Sequence, residues 1–208
     1  MILIRLAAGL SQTEEQEHIE SLLKRISKAF VRMRSKVLVD PFRPLVEGKQ
    51  SDLAVTVSSG RRYRFVKEPG KRFHTELIDG GWLVCVPEAM EPRRFHRELW
   101  HLISLSELRE MTALVDAMNH DSLALPVTDV RLRFATSKWG SCSGSGTVML
   151  NSALLFTPRE TLHYVIAHEL AHIKHANHSA RFWETVGTIM PGYEAAKDVL
   201  NEHRLPKL

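Results

Sequence analysis

The chain has 208 residues, 44% hydrophobic and 25% charged, with a net charge of +4. These proportions exclude a disordered or fibrous chain and predict a packed core, in one substantial domain or one domain with an appended piece. No stretch approaches the roughly 20 apolar residues of a membrane helix, and the opening MILIRLAAGL is short and interrupted by Arg5, so a cytoplasmic protein with no membrane partner is expected.

The spacing of Ile19, Leu22, Leu23, Ile26, Phe30 and Met33 predicts one helix from about Ser11 to Val39, with Ser11 or Thr13 as cap and Glu14, Glu15 and Glu17 at its start. Asp40-Pro41 and Arg43-Pro44 stop it. Short strands are expected over Leu53–Val57, Arg61–Val66, Phe73–Ile78 and Trp82–Val86, separated by Ser-Ser-Gly, Pro-Gly and Asp-Gly-Gly turns, as a small antiparallel sheet. Pro92 opens a long helix to about Asn119, with Phe95, Leu99, Leu102, Ile103, Leu108 and Met111 facing inward. Val130–Ala135 and Thr147–Asn151 read as a hairpin. Helices follow over about Pro158–Ala176 and Ala180–Ile189, and another begins at Pro191. The order predicts an α+β fold in three parts: a helical extension at 1–50, sheet and long helix at 51–120, and a catalytic region at 121–208.

Chemistry concentrates at His168-Glu169-Leu170-Ala171-His172. Residues four apart lie one turn apart on the same helix face, so both imidazoles reach one ion, and a glutamate between them is placed to activate a water. Leu162, Ile166, Leu170 and Ile173 share the core face, and the two histidines point away from it. A catalytic zinc needs a third protein ligand. On an unbroken helix His175 would rise about 10 Å beyond His168, too far to converge. Ala176-Asn177 offers a stop, so His178 is the expected ligand, after the chain turns back. His163 is expected to be structural. Cys85 and Cys142 form no C-x-x-C, which argues against a cysteine zinc site and fits a reducing compartment.

The set K-W-G-S-C-S (138–143), L-N (150–151), Y-V-I-A-H-E-L-A-H (164–172), N-H-S-A-R-F-W (177–183) and P-G-Y (191–193) resembles the YgjP-like metallopeptidase family, described as metal-dependent hydrolases related to SprT-like proteins. The resemblance is clearest over 131–206. It implies a zincin-like fold, zinc on His168, His172 and His178, Glu169 as general base, and a peptide or protein substrate.

Two other readings remain open. The family has also been credited with hydrolysis of nucleotide triphosphates, for which Arg131, Arg133 or Lys138 would grip phosphate. A DNA-associated SprT-like module would use the basic residues of the first half, Lys24, Arg25, Lys28, Arg32, Arg34 and Lys36, then Arg61, Arg62 and Arg64. Around the site, Tyr193 or Arg181 are candidates to stabilise developing negative charge, Cys142 is a candidate fourth ligand, and Phe182 and Trp183 read as core. The Thr147–Asn151 strand is a candidate to align a peptide by strand addition.

Overall fold

The computed structural model describes residues 11–34 and 36–207. The chain divides into two compact units, Met1–Val37 and Leu38–Leu208, each described by itself.

In the first unit, helix α1 (Gln12–Arg34) starts on a reciprocal cap. The Glu14 carboxylate accepts from the Ser11 N–H at 2.8 Å and the Ser11 hydroxyl at 2.7 Å. Leu22, Leu23 and Ile26 of the apolar stripe are exposed; the side chains of Phe30 and Met33 lie outside the described residues. The helix ends at Arg34, not Val39: Val37–Leu38 is the short strand β1, as the β-branched Val37 and Val39 ahead of Asp40-Pro41 favour.

The second unit begins with buried Val39, Phe42 and Leu45, the last on the four-residue helix α2 (Arg43–Val46). Its first sheet comprises β2 (Asp52–Thr56), β3 (Arg62–Pro69), β4 (His74–Ile78) and β5 (Gly81–Val86), in the spatial order β2-β3-β5-β4. The expectation of an antiparallel sheet is corrected here. β2/β3 and β4/β5 are antiparallel hairpins, but β3 and β5 run parallel, from Arg64 opposite Gly81 to Pro69 opposite Val86. Composition explains the order. β5 carries Trp82, Leu83, Val84, Cys85 and Val86 in an unbroken run and takes the interior position, whereas the more polar β4 goes to the edge. The parallel pairing also needs a glycine: a β-carbon on Gly81 would fall 1.8 Å from the Arg64 carbonyl oxygen.

Helix α3 (Pro92–His120) starts on Pro92 and buries Phe95, Leu99, Trp100, Ile103, Met111 and Val115. The second sheet has the order β6-β8-β7, with β6 (Asp129–Arg133), β7 (Gly140–Cys142) and β8 (Thr147–Asn151). Here too an expectation fails. β6 and β8 are parallel, not a hairpin, because the segment joining them contains β7, which pairs antiparallel with β8 from Gly140 opposite Leu150 to Cys142 opposite Val148. The tight turn belongs to β7 and β8, closed by Gly146 at φ 85°. A 3-10 turn (Ser152–Phe156) then leads into α4 (Arg159–Lys174), α5 (Ala180–Ile189), α6 (Tyr193–Asn201) and the short β9 (His203–Arg204). Among the described residues the architecture is mixed α+β, with small sheets and six α-helices. Among the described residues no helix is long and apolar enough to cross a membrane.

Candidate metal centre and active site

Helix α4 is buried on most of its circumference by Leu162, Val165, Ile166, Ala167, Leu170 and Ala171. It packs on β7 and β8 on one side and on α5 and α6 on another. That enclosure fixes the rotation of the helix and leaves His168 and His172 on its remaining face. The helix ends at Lys174, two residues earlier than the expected Ala176, because His175 is already extended at φ −133°, ψ 113°. The chain then turns back and delivers His178 just ahead of α5. One nitrogen from each of His168, His172 and His178 lies within 4.8 Å of the others, and the three form the one group of close His, Cys, Asp or Glu donors among the described residues. His168 Nε2 and His178 Nε2 are 3.1 Å apart.

Phe182, fully buried on α5, forms the floor. Its ring centroid lies 4.9, 4.6 and 4.7 Å from those of His168, His172 and His178. Trp183 stacks on His178 at 5.8 Å and on Tyr193 at 5.6 Å, and Tyr193 stacks on Tyr164 at 6.0 Å. Trp183 is therefore a half-buried wall of the site as well as a core contact.

Hydrogen bonds set the imidazole orientations. His172 Nδ1 lies 3.0 Å from the His175 carbonyl, which only accepts, so Nδ1 carries the proton and Nε2 keeps its lone pair. The Thr185 hydroxyl gives its hydrogen to the Arg181 carbonyl and so accepts from His175 Nε2 at 3.1 Å. His175 thus orients His172 through its backbone while its own ring is engaged with Thr185. Burial, with the fields of His172, His178 and Lys197 behind it, pushes His168 down to about 4. A neutral imidazole keeps one ring N–H and one lone pair, and the lone pair is what a metal ion would take. His168 Nδ1 is buried without a partner. Three imidazole nitrogens with no cysteine among them are a donor set that could hold a borderline metal cation.

Glu169 is 5% exposed. Burial raises its carboxyl to about 7 against the pull of Lys138, in the range a general base at neutral pH requires. Its cover is β7. Beside it lies a cavity of about 310 Å³ lined by Lys138, Trp139, Gly140, Tyr164, Val165, His168, Glu169, Lys197, Leu200 and Asn201.

Other expectations fare unevenly. Cys142 is half-buried, its thiol pushed up by burial and by Glu169, and it stands outside the close donor group. Arg181 is exposed. Of the phosphate candidates, Arg131 pairs with Asp129 at 2.7 Å and only Lys138 lines the cavity. In the first half, Arg61 pairs with Glu107 and Glu110, and Arg64 with Asp52. β8 has β6 on one edge and β7 on the other, so no peptide can add to it; β7 is the edge strand beside the site. His163 Nε2 is buried and unpartnered, and its ring is half-buried.

Asn151 escapes a reading by residue type. Fully buried, it donates to the Ala135 carbonyl at 2.7 Å and the Lys138 carbonyl at 2.6 Å and accepts from Ala153 N–H at 3.0 Å, pinning the loop that carries Lys138 and Trp139. Its place in the L-N motif is the only sequence signal of this role.

The profile of the YgjP-like metallopeptidase domain matches residues 1–203. The chain belongs to that family. Membership implies a hydrolase that uses a metal cofactor. No curated protein matches this YgjP-like chain. Among solved structures, the crystal structure of the metallopeptidase zymogen of Pyrococcus abyssi abylysin is 31% identical, covering 44% of this chain and 86% of that one, with a TM-score of 0.35.

Proposed function

We propose that this YgjP-like domain is a zinc-dependent peptidase, with His168, His172 and His178 holding the ion and Glu169 as general base. The observation that carries the reading is the convergence of three imidazoles within 4.8 Å next to a buried carboxyl raised to about 7. A zinc ion held there supplies a Lewis acid that brings the pKa of a water toward roughly 7.

The protein's own groups do the rest. Glu169, kept basic enough by burial, takes the proton of the attacking water and passes it to the leaving amine. Phe182 and Trp183 exclude solvent from one side of the histidines, which strengthens each charge interaction there. Tyr164, which lines the cavity and is held protonated by burial with its pKa near 12, is a hydroxyl donor at working pH for negative charge developing on the substrate. β7 offers the free strand edge along which an extended peptide would lie. The two free cysteines, Cys85 and Cys142, fit a reducing, cytoplasmic setting.

The test is metal content and turnover together. Wild type should hold near one zinc per chain, His178→Ala should lose most of it, and Glu169→Gln should keep the zinc while losing peptide hydrolysis. Full hydrolysis by Glu169→Gln would overturn the reading. A second reading, hydrolysis of nucleoside triphosphates at the same centre, is favoured by Lys138 in the cavity wall. Pyrophosphate release from a nucleotide panel, lost in Glu169→Gln, would support it over the peptidase.

A further inference from the structure

We infer that the cavity beside Glu169 contains a subsite for a compact anion on the substrate, formed by Lys138 and Lys197, and that the enzyme prefers bonds flanked by an acidic residue. The inference rests on the hydrolytic reading of this site and extends it to substrate choice.

Two of the ten residues lining the cavity are lysines, and the single carboxylate among them is Glu169, which is committed to the water. Neither Lys138 nor Lys197 forms an ion pair among the described residues, in contrast to Arg43, Arg61, Arg64 and Arg131. Among the described residues the cavity is thus lined by two lysines that no ion pair engages.

Both are positioned. Lys197 Nζ sits 4.1 Å above the Trp183 ring, itself held in the stack with His178 and Tyr193, so this flexible side chain is already tethered over the site. The Lys138 backbone is fixed by its bond from buried Asn151.

The remaining walls define the shape of the group that fits. Val165, Leu200, Tyr164 and Trp139 give apolar surface, and Asn201 adds a polar side chain. A volume of about 310 Å³ lies at the lower end of the range for small-molecule sites. It suits a short stem ending in a negative charge, as in aspartate or glutamate, better than a whole nucleotide. A single phosphate group has the same charge chemistry, so the test must separate the two sources.

The experiment uses the zinc-loaded full chain and two degenerate peptide libraries, identical except that Asn and Gln replace Asp and Glu in the second. Wild type should cleave the acidic library at least tenfold more efficiently, with the acidic residue at one fixed position relative to the cut. Lys138→Gln and Lys197→Gln should bring that ratio toward one, chiefly through KM, and Lys197→Glu should turn the preference toward basic residues. A fall in kcat shared equally by both libraries would instead make the lysines transition-state groups and overturn the subsite.

A second arm needs no turnover: binding of both libraries and of nucleoside triphosphates to zinc-loaded Glu169→Gln protein, with and without the lysine substitutions. Tight triphosphate binding that depends on both lysines, with no acidic-library preference, would identify the anion as phosphate and overturn the acidic-residue preference. Equal binding of all probes in every variant would overturn the subsite itself. If wild type cleaves neither library, the peptidase reading fails, and this arm still decides whether the lysines bind an anion.

Discussion

Gly140 lies directly against Glu169: a β-carbon at position 140 would sit 2.6 Å from Oε1 and 2.8 Å from Cγ of the glutamate. Strand β7 thus acts as a cover that fits Glu169 only because residue 140 has no side chain. Gly140→Ala must shift either the strand or the carboxyl. A displacement near 1 Å at a reacting group costs on the order of 100-fold in rate. We expect kcat to fall by about that factor while zinc content stays at the wild-type level, checked by metal analysis beside steady-state kinetics.

Glu169 and His168 should leave opposite marks on stability in the metal-free protein. The carboxyl is raised to about 7, so its contribution is complete below the unfolded value near 4.5 and is lost as pH rises through 7. His168 is depressed to about 4, so its contribution is complete above 6.5 and is lost as pH falls through 4. Between about pH 4.5 and 6.5 the two slopes oppose each other. Glu169→Gln removes one of them. Thermal melts of stripped protein from pH 4 to 8 should show a steeper rise with pH for the variant than for wild type, and a gap in its favour above pH 7. Parallel curves would contradict the burial of the carboxyl.

His175 and His178 are three residues apart and should behave differently. His175→Ala keeps the backbone carbonyl that orients His172 and loses only the bond to Thr185, so zinc affinity should fall less than about tenfold, below the usual cost of removing an outer partner. His178→Ala removes a proposed ligand and should weaken zinc by well over about 100-fold. Competition against a chromogenic chelator separates the two.

The unequal legibility of the sequence has physical causes. The grouping of His168, His172 and His178 is readable because one helix turn sets the spacing of the first two and a straight helix cannot bring a third histidine back to them. The end at His175 was harder to place, since it depends on a backbone conformation and not on a breaker residue. Strand positions follow from alternation and turns. Strand order does not, and the unbroken apolar run of β5 explains its interior position only once the pairing is seen. Gly140 and Asn151 were opaque because each matters through a partner remote in sequence, Glu169 for one and the carbonyls of Ala135 and Lys138 for the other.

Asn151 lends itself to a stability measurement. Asn151→Ala removes three hydrogen bonds from a buried position. At a net 1 kcal/mol each the loss is about 3 kcal/mol. Urea denaturation should report that value. Hydrogen exchange should show the loss of protection concentrated near residue 153 and in the loop around 135–139, with α3 retaining its protection.

The Val39 N–H donates to the Arg204 carbonyl at 3.0 Å. Entry to and exit from the second unit are therefore neighbours, which is the topology that tolerates circular permutation. A short linker from the end of β9 to Leu38 would close the chain, and new termini could open at the exposed Ser143–Ser145 turn between β7 and β8. The same closeness would let the unit be spliced into a surface loop of an unrelated host, where it would demand little more separation of the host's chain than an ordinary loop does.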